Sequence, residues 1–600
     1  MRPVRRVWPD RPPTAPAVRG TVAVAAAIAL LTGCTAGSAG QSAHRASPSA
    51  STSPATSPSA TPSGPPGAVT RVPPSSTTIL PASPGEAALA VSRAVFASSP
   101  VVVVAEHEDG PGQLTAATVA AGLGAPVLLT GSDVPGAAAE IERLGATRVI
   151  RVGGADVDGL DAEVVDVPAG ADRAQLEART GVPFGAVDVV GTRPAGQQTA
   201  VAALGRDRPR VLVPTPIASA APTPTTPVPT DPSAVPTVSL STPAPPRPAA
   251  PPRPAVGTVA LVGAGPVPLA ALATLRAAGV PTIACPSGDP RTTAASVKAL
   301  AHAAPTAVVA LGTGFGSAGL LADRVASAKT GTQLPGGGQL IFPEGAGVRG
   351  KRYVALYGTP GSKALGVLGE QSVPKTMARA ASTARKYRPL TSDTVVPMVE
   401  AIATIAAGSK GKDGDYSRER SVAELRPLVE AAHAKGVAVV LDLQPGRADF
   451  RDQAKRYAPL LALPNVGLAL DPEWRLTKKQ KPLHQIGSVR IGEVNGVVDW
   501  LADFTAARHL PQKMLVLHQF STSMIHGRST LDTSRDELAI VIHVDGQGSQ
   551  PAKAGTWATI RKDAPDVHWG WKNFYDEDKP MLSPKKTYAI HPRPDLVSYQ

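Results

Sequence analysis

Cysteine is nearly absent from the 600 residues: Cys34 and Cys285 are the only two. A disulfide framework is therefore excluded, and stability has to come from core size, which this length allows. No run reaches the roughly 20 apolar residues that a membrane-spanning helix requires. Several chemistries lack their signatures. Without a G-x-S-x-G turn a serine hydrolase is not expected, and although His518, His543 and Asp545 are the candidate ligands for a metal, without H-x-H or H-E-x-x-H spacing no metal site is expected. Gly263-Ala264-Gly265 is followed by Pro266 and Pro268, and Gly312-Thr313-Gly314-Phe315-Gly316 runs G-x-G-x-G, so neither has dinucleotide-binding spacing. Both read as tight turns between strand and helix, and no cofactor is expected. Apart from short runs such as Lys478-Lys479 with Lys481, the basic residues are scattered, which argues against nucleic acid as a partner. A net charge of +13 instead suits anionic surfaces such as wall polymers or lipid headgroups.

The chain begins with Arg2, Arg5 and Arg6, and then carries the short apolar run Thr21–Leu31, which suits the hydrophobic region of a signal peptide. The run ends in Leu31-Thr32-Gly33-Cys34, which resembles a bacterial lipobox. That resemblance implies cleavage before Cys34, lipidation of its thiol and residence on the outer face of a cell membrane. An ordinary secretory signal with an incidental cysteine is the alternative. Residues 1–34 are thus read as a lipoprotein signal peptide. Residues 35–84, rich in Ser, Thr, Pro, Ala and Gly, are read as a disordered stalk, because too little apolar surface is present to offset chain entropy. Cys285, in VPTIACPSG, reads as a buried thiol at a strand end.

From residue 85 the pattern alternates. Val101–Ala105, Pro126–Thr130 and Arg148–Val152 read as strands, and Leu114–Leu123 and Pro135–Leu144 as helices, which implies βαβ units and a parallel sheet. The segments AALAVSRAVF, VVVVAEHEDG, AAGLGAPVLLTGSDVP and IERLGATRVIRVGG resemble the type 2 cell wall-binding repeat of secreted bacterial proteins. PGQLTAAT, Pro111–Thr118, stands where that family has an Asp-Ala-Leu box. The resemblance implies a wall-binding α/β module over 85–195. A degenerate second module follows over 196–335, interrupted by a Pro-rich insertion at 216–254.

Large amphipathic side chains collect beyond residue 345. All eight tyrosines lie between Tyr353 and Tyr599, and five of the six tryptophans follow residue 470. Strand-like runs at Arg352–Tyr357, Thr394–Ile402, Val437–Leu443, Val466–Leu470, Lys513–His518, Leu538–Val544 and His568–Asn573 alternate with helical segments. The expected fold is α/β throughout: two small parallel-sheet modules, then a (β/α)8 TIM-like barrel over 345–600, with an open doubly wound sheet as the alternative.

Asp442, Asp471, Glu473, His518 and Asp545 fall at or just past strand ends, where a barrel gathers them at one mouth. Convergent carboxylates with aromatic neighbours suit glycoside hydrolysis, in which one carboxyl donates a proton and another stays ionised. The strand end LALDPEW resembles the Asp-x-Glu endings of barrel glycosidases acting on chitin-like and peptidoglycan glycans. That resemblance implies Glu473 as proton donor and Asp471 as its partner, with Asp442 or Asp545 as supporting acids. Trp474, His518, Trp571 and Tyr575 are the expected substrate contacts. The partner is then a cell-wall polysaccharide or anionic wall polymer, together with the membrane through the lipid on Cys34. A non-catalytic wall-binding scaffold remains the competing reading.

Overall fold

The computed structural model describes residues 67–81, 83–131, 136–157, 159, 161–215 and 255–600. The signal segment with Cys34, most of the expected stalk and the insertion at 216–254 lie outside the described residues. The end of the stretch expected to be stalk (35–84) is ordered, however. Thr77–Ile79 is a strand pairing in parallel with Ala307–Leu311, so the second module draws its edge strand from ahead of the first. Its small and β-branched side chains can do this because the partner strand offers a complete hydrogen-bonding edge.

Both modules are parallel sheets. In the first, the strands lie in the order Val127–Thr130, Val101–Glu106, Arg148–Val152, Glu163–Val167. In the second the order is Thr282–Ala284, Thr258–Val262, Ala307–Leu311, Thr77–Ile79. The modules share one core. The helix Leu269–Ala277 of the second packs on Gly110–Leu123 and Pro84–Val95 of the first, and alanines on these helices let the backbones approach. The Thr274 hydroxyl of the second module receives the Val127 N–H of the first at 2.9 Å. The glycine turns behave as the spacing implied: Gly265 and Gly312 adopt positive φ (85° and 111°) where the strands end.

The C-terminal region is a closed barrel of eight parallel strands: β1 (Lys351–Gly358), β2 (Thr394–Ala406), β3 (Ala438–Leu443), β4 (Val466–Leu470), β5 (Lys513–His518), β6 (Leu538–Val544), β7 (His568–Asn573) and β8 (Leu596–Tyr599). β8 pairs with β1 and closes the ring, which excludes the open-sheet alternative. β8 had not been anticipated from the sequence. Helices cross between most strands, and Val422–Ala434 starts in the expected way. The Ser421 hydroxyl accepts from the Glu424 N–H at 3.2 Å, and the Glu424 carboxylate accepts from the Ser421 N–H at 2.7 Å. No α-helix bridges β5 to β6 among the described residues; two short 3-10 turns and the strand Ile525–His526, paired with Val489–Arg490, take its place.

Strand alternation sorts side chains into two sets. One faces the surrounding helices, where Leu356, Val399, Leu441, Leu468, Leu515, Ile542 and Val597 form a large core. The other faces the barrel axis. Toward the N-terminal ends it is apolar: Tyr353, Ala355, Val396, Met398, Ala438, Val440, Ala469, Met514, Val516, Ala539, Val541 and Leu596 form a floor, capped from below by Leu334 and Ile341 of the incoming segment. Tyr353 donates to the Ile341 carbonyl at 3.1 Å and Lys351 to the Leu340 carbonyl at 2.9 Å, which pins that segment across the bottom.

The candidate site at the barrel mouth

One step further along each strand the inward positions change character. They read Tyr357 on β1, Glu400 on β2, Asp442 on β3, Asp471 just past β4, His518 on β5, His543 on β6 with Asp545 just past it, Lys572 on β7 and Ser598 on β8. Each lies two residues, or a multiple of two, beyond a floor residue of its own strand or on that parity. All are buried, and Glu400, Asp442, His518 and His543 have no exposed surface. Every strand therefore contributes a polar group to one layer.

His518 organises the layer. Its Nε2 lies 2.7 Å from Glu400 Oε1 and its Nδ1 lies 3.1 Å from Asp545 Oδ2. Burial alone would push the imidazole pKa down, but the two carboxylates outweigh it and hold His518 well above its ordinary value. The same contacts act in reverse on the acids. Burial raises Glu400 and Asp545, yet the His518 charge and hydrogen bonds, helped by Lys572, leave Glu400 lowered and Asp545 at about 2. Lys572 sits 4.0 Å from Asp545, with its ammonium 3.7 Å from the Tyr357 ring centroid.

The remaining acids go the other way. Asp442 receives the Tyr357 hydroxyl at 2.8 Å, but burial and the neighbouring Glu400 charge bring it up to about 6. Burial, then the charge of Glu473, lifts Asp471 well above the carboxylate range. His543 is pushed down by burial to about 3, and its Nε2 lies 3.1 Å from the Ser598 hydroxyl. Five polar atoms here, Glu400 Oε2, Asp442 Oδ1, Asp471 Oδ1, His543 Nδ1 and Asp545 Oδ1, are buried with no hydrogen-bond partner among the described residues.

The expected site residues divide. Asp442, Asp471, Asp545 and His518 come together in this layer. Glu473 and Trp474 follow Asp471 on a short 3-10 turn at the rim, both half-buried, and the Gly487 N–H donates to the Glu473 carbonyl at 2.6 Å. Trp571 is not with them. It faces outward, with its ring 5.6 Å from that of Trp557 and its Nε1 donating to Asn573. The parity of β7 is set by Gly570, whose inward face lies so close to His543 that a Cβ there would come within 2.4 Å of Cδ2. Gly570 and Lys572 must therefore face the axis, and Trp571 the helices. Tyr575 is 41 % exposed beyond β7, beside Tyr599 and under the Arg379 guanidinium, in a cavity also lined by Met581 and Leu582. His518 is enclosed by its two carboxylates and offers no open surface to a sugar ring. Glu400, Tyr357, Lys572 and Ser598 were not singled out from the sequence. The available signal was parity: Val396, Met398 and Glu400 are spaced by two in TVVPMVEAIATIA.

No family matches this chain, and no curated protein matches it. Among solved structures, Cwp6 from Clostridium difficile is similar at 13 % identity and a TM-score of 0.31, over 61 % of this chain and 63 % of that one. The chain thus spans less than two thirds of that protein's length. A new form of the xylanase-A-amylase inhibitor protein (XAIP-III) is similar at 16 % identity and a TM-score of 0.26, covering 42 % of this chain and 93 % of its own. XAIP-I, solved as a complex with trehalose, gives 15 % and 0.26 over 41 % and 92 %. At such scores these likenesses bear no weight on function. The barrel itself is established by the strand pairing.

Proposed function

We propose that the barrel mouth binds and hydrolyses an envelope polysaccharide, in a lipoprotein tethered through Cys34 to the outer face of the membrane. The observation that carries this reading is the separation of the mouth's acids into two protonation states. Glu400 and Asp545 are held ionised, while Asp471 and Asp442 are pushed toward the protonated form. Glycosidic hydrolysis needs both kinds of carboxyl at once.

In this scheme Glu473, the half-buried acid at the rim, gives its proton to the leaving glycosidic oxygen as the bond to the anomeric carbon breaks. Asp471, held protonated by burial and by the neighbouring charge of Glu473, supplies the proton that Glu473 passes on. Asp545 takes the proton of the water that bonds to the anomeric carbon, a role supported by its 8 % exposure and an Oδ1 without a hydrogen-bond partner among the described residues. Trp474 supplies an apolar face at the rim. The sheet modules and the net charge of +13 hold the chain on anionic wall polymer. The test is release of reducing ends from purified envelope glycans by the full chain. Glu473→Gln is expected to lower the rate by roughly 10²–10⁴-fold, the usual range for general acid catalysis. Absence of release from every envelope glycan would sink the hydrolytic reading.

One observation favours a second reading, a wall-binding scaffold. The deepest mouth residues pair with one another and are closed to solvent. Such a protein would sediment with purified walls in a saturable way, and the double variant Asp471→Asn/Glu473→Gln would sediment equally well.

A further inference from the structure

Five unpartnered polar atoms in one buried layer are costly, since each buried polar atom without a partner among the described residues costs about 1–3 kcal/mol. Two of them, Glu400 Oε2 and His543 Nδ1, belong to a trio with a particular geometry. Glu400, His518 and His543 each place a ligand-type atom so that all three lie within 4.8 Å of one another, and all three residues are fully buried. They come from β2, β5 and β6, which are hydrogen-bonded strands of the closed barrel.

We propose that Glu400, His518 and His543 bind a divalent transition-metal ion of the Zn²⁺ class on the floor of the mouth. Imidazole nitrogens with one carboxylate are the donor set such ions prefer over Ca²⁺ or Mg²⁺, and three protein ligands leave a position open. The surroundings fit as well. A metal-bound histidine usually has its second nitrogen fixed by a carboxylate or hydroxyl, which orients the ring. Asp545 stands 3.1 Å from His518 Nδ1 and so leaves Nε2 for the ion, while Ser598 stands 3.1 Å from His543 Nε2 and leaves Nδ1. Tetrahedral Zn²⁺ places its ligand atoms about 3.4 Å apart. The 2.7 Å contact between His518 Nε2 and Glu400 Oε1 would therefore open slightly and the His543 side would close. The ion would displace the proton shared between His518 Nε2 and Glu400 Oε1, while Lys572, 4.0 Å from Asp545, offsets part of the negative charge nearby.

A second acidic cluster provides an internal control. Asp413, Asp415 and Glu419 also bring their oxygens within 4.8 Å, but on an exposed to half-buried loop after β2, with no nitrogen donor. The experiment is equilibrium dialysis of the chelator-stripped full chain against Zn²⁺ with elemental analysis, and addition of Co²⁺ with a visible absorption readout. One retained ion per chain and a Co²⁺ ligand-field band are expected. His543→Gln should abolish both, Asp545→Asn should weaken binding roughly 10–100-fold, and Asp415→Asn should change nothing. A wild-type chain that retains no Zn²⁺ and gives no Co²⁺ band overturns the proposal, whether or not the His543 variant folds. So does binding that survives His543→Gln and disappears with Asp415→Asn. The proposal does not depend on hydrolysis: metal content and reducing-end release are separate measurements.

Discussion

The floor and the mouth of the barrel are built on the same eight strands, one layer apart, and they obey opposite rules. At the floor, Met398, Val440, Val516 and Val541 interlock with no polar atoms to satisfy. At the mouth, Glu400, Asp442, His518 and His543 occupy the next inward positions, equally buried, and depend on one another and on Tyr357, Asp545 and Ser598 for charge and hydrogen bonds. The lesson is that depth alone does not decide what a strand tolerates. An apolar layer is stable for any well-packed shape, whereas a buried polar layer is stable only when its partners are present.

The comparison breaks most sharply if polarity is moved down one layer. Val440→Asp places a carboxyl among floor side chains with no donor, and is expected to cost more than about 4 kcal/mol or prevent folding. Denaturant titration against Asp442→Asn, two residues along the same strand, checks it; equal stability of the two would contradict the layered picture. The next largest effect is expected from His518→Ala, which leaves Glu400 and Asp545 buried without their shared cation and should cost about 3–5 kcal/mol. Adding Glu400→Gln to that variant should recover part of the loss; no recovery would show that packing rather than charge holds the layer.

The mouth alone should also carry a pH signature. Asp442 binds its proton more tightly folded than unfolded, so its contribution favours the folded state below about pH 4 and fades as pH rises through about 6. His518, raised by Glu400 and Asp545, contributes stability that is complete below about pH 6.5 and lost as pH rises through its raised folded pKa. Chemical denaturation across pH should show the first slope in the wild type and a flatter one in Asp442→Asn, with floor variants keeping the wild-type slope. The smallest effect is expected at the junction below the floor, where Asp536 pairs with Arg291 and Arg324 at 2.7 Å each. Asp536→Asn should cost roughly 1–3 kcal/mol and raise proteolytic cleavage near residue 330, without touching the mouth.

Much of the fold was legible. Val466–Leu470, Lys513–His518, Leu538–Val544 and His568–Asn573 were delimited to the residue, because short apolar or aromatic runs between polar and turn residues have few other solutions. β8 was missed since LVSY is four residues long and carries a serine that only the barrel interior explains. Asp442, Asp471 and Asp545 were legible as strand-end acids. Glu400 was hidden inside a strand that reads as apolar, because its significance lies in His518, more than a hundred residues away. Trp571 was misplaced because HWGWKN gives no parity by itself.

Alternation and strand-end chemistry thus determined, from sequence alone, that parallel α/β units precede a barrel and that acids gather at its mouth. Local patterns carry that much because they report which residues can lie on one face of one strand. Which face points inward, which acids meet a histidine and which meet only each other were decided by closure of the ring. Those properties depend on distances between strands far apart in the chain, and pKa values and buried pairing follow those distances.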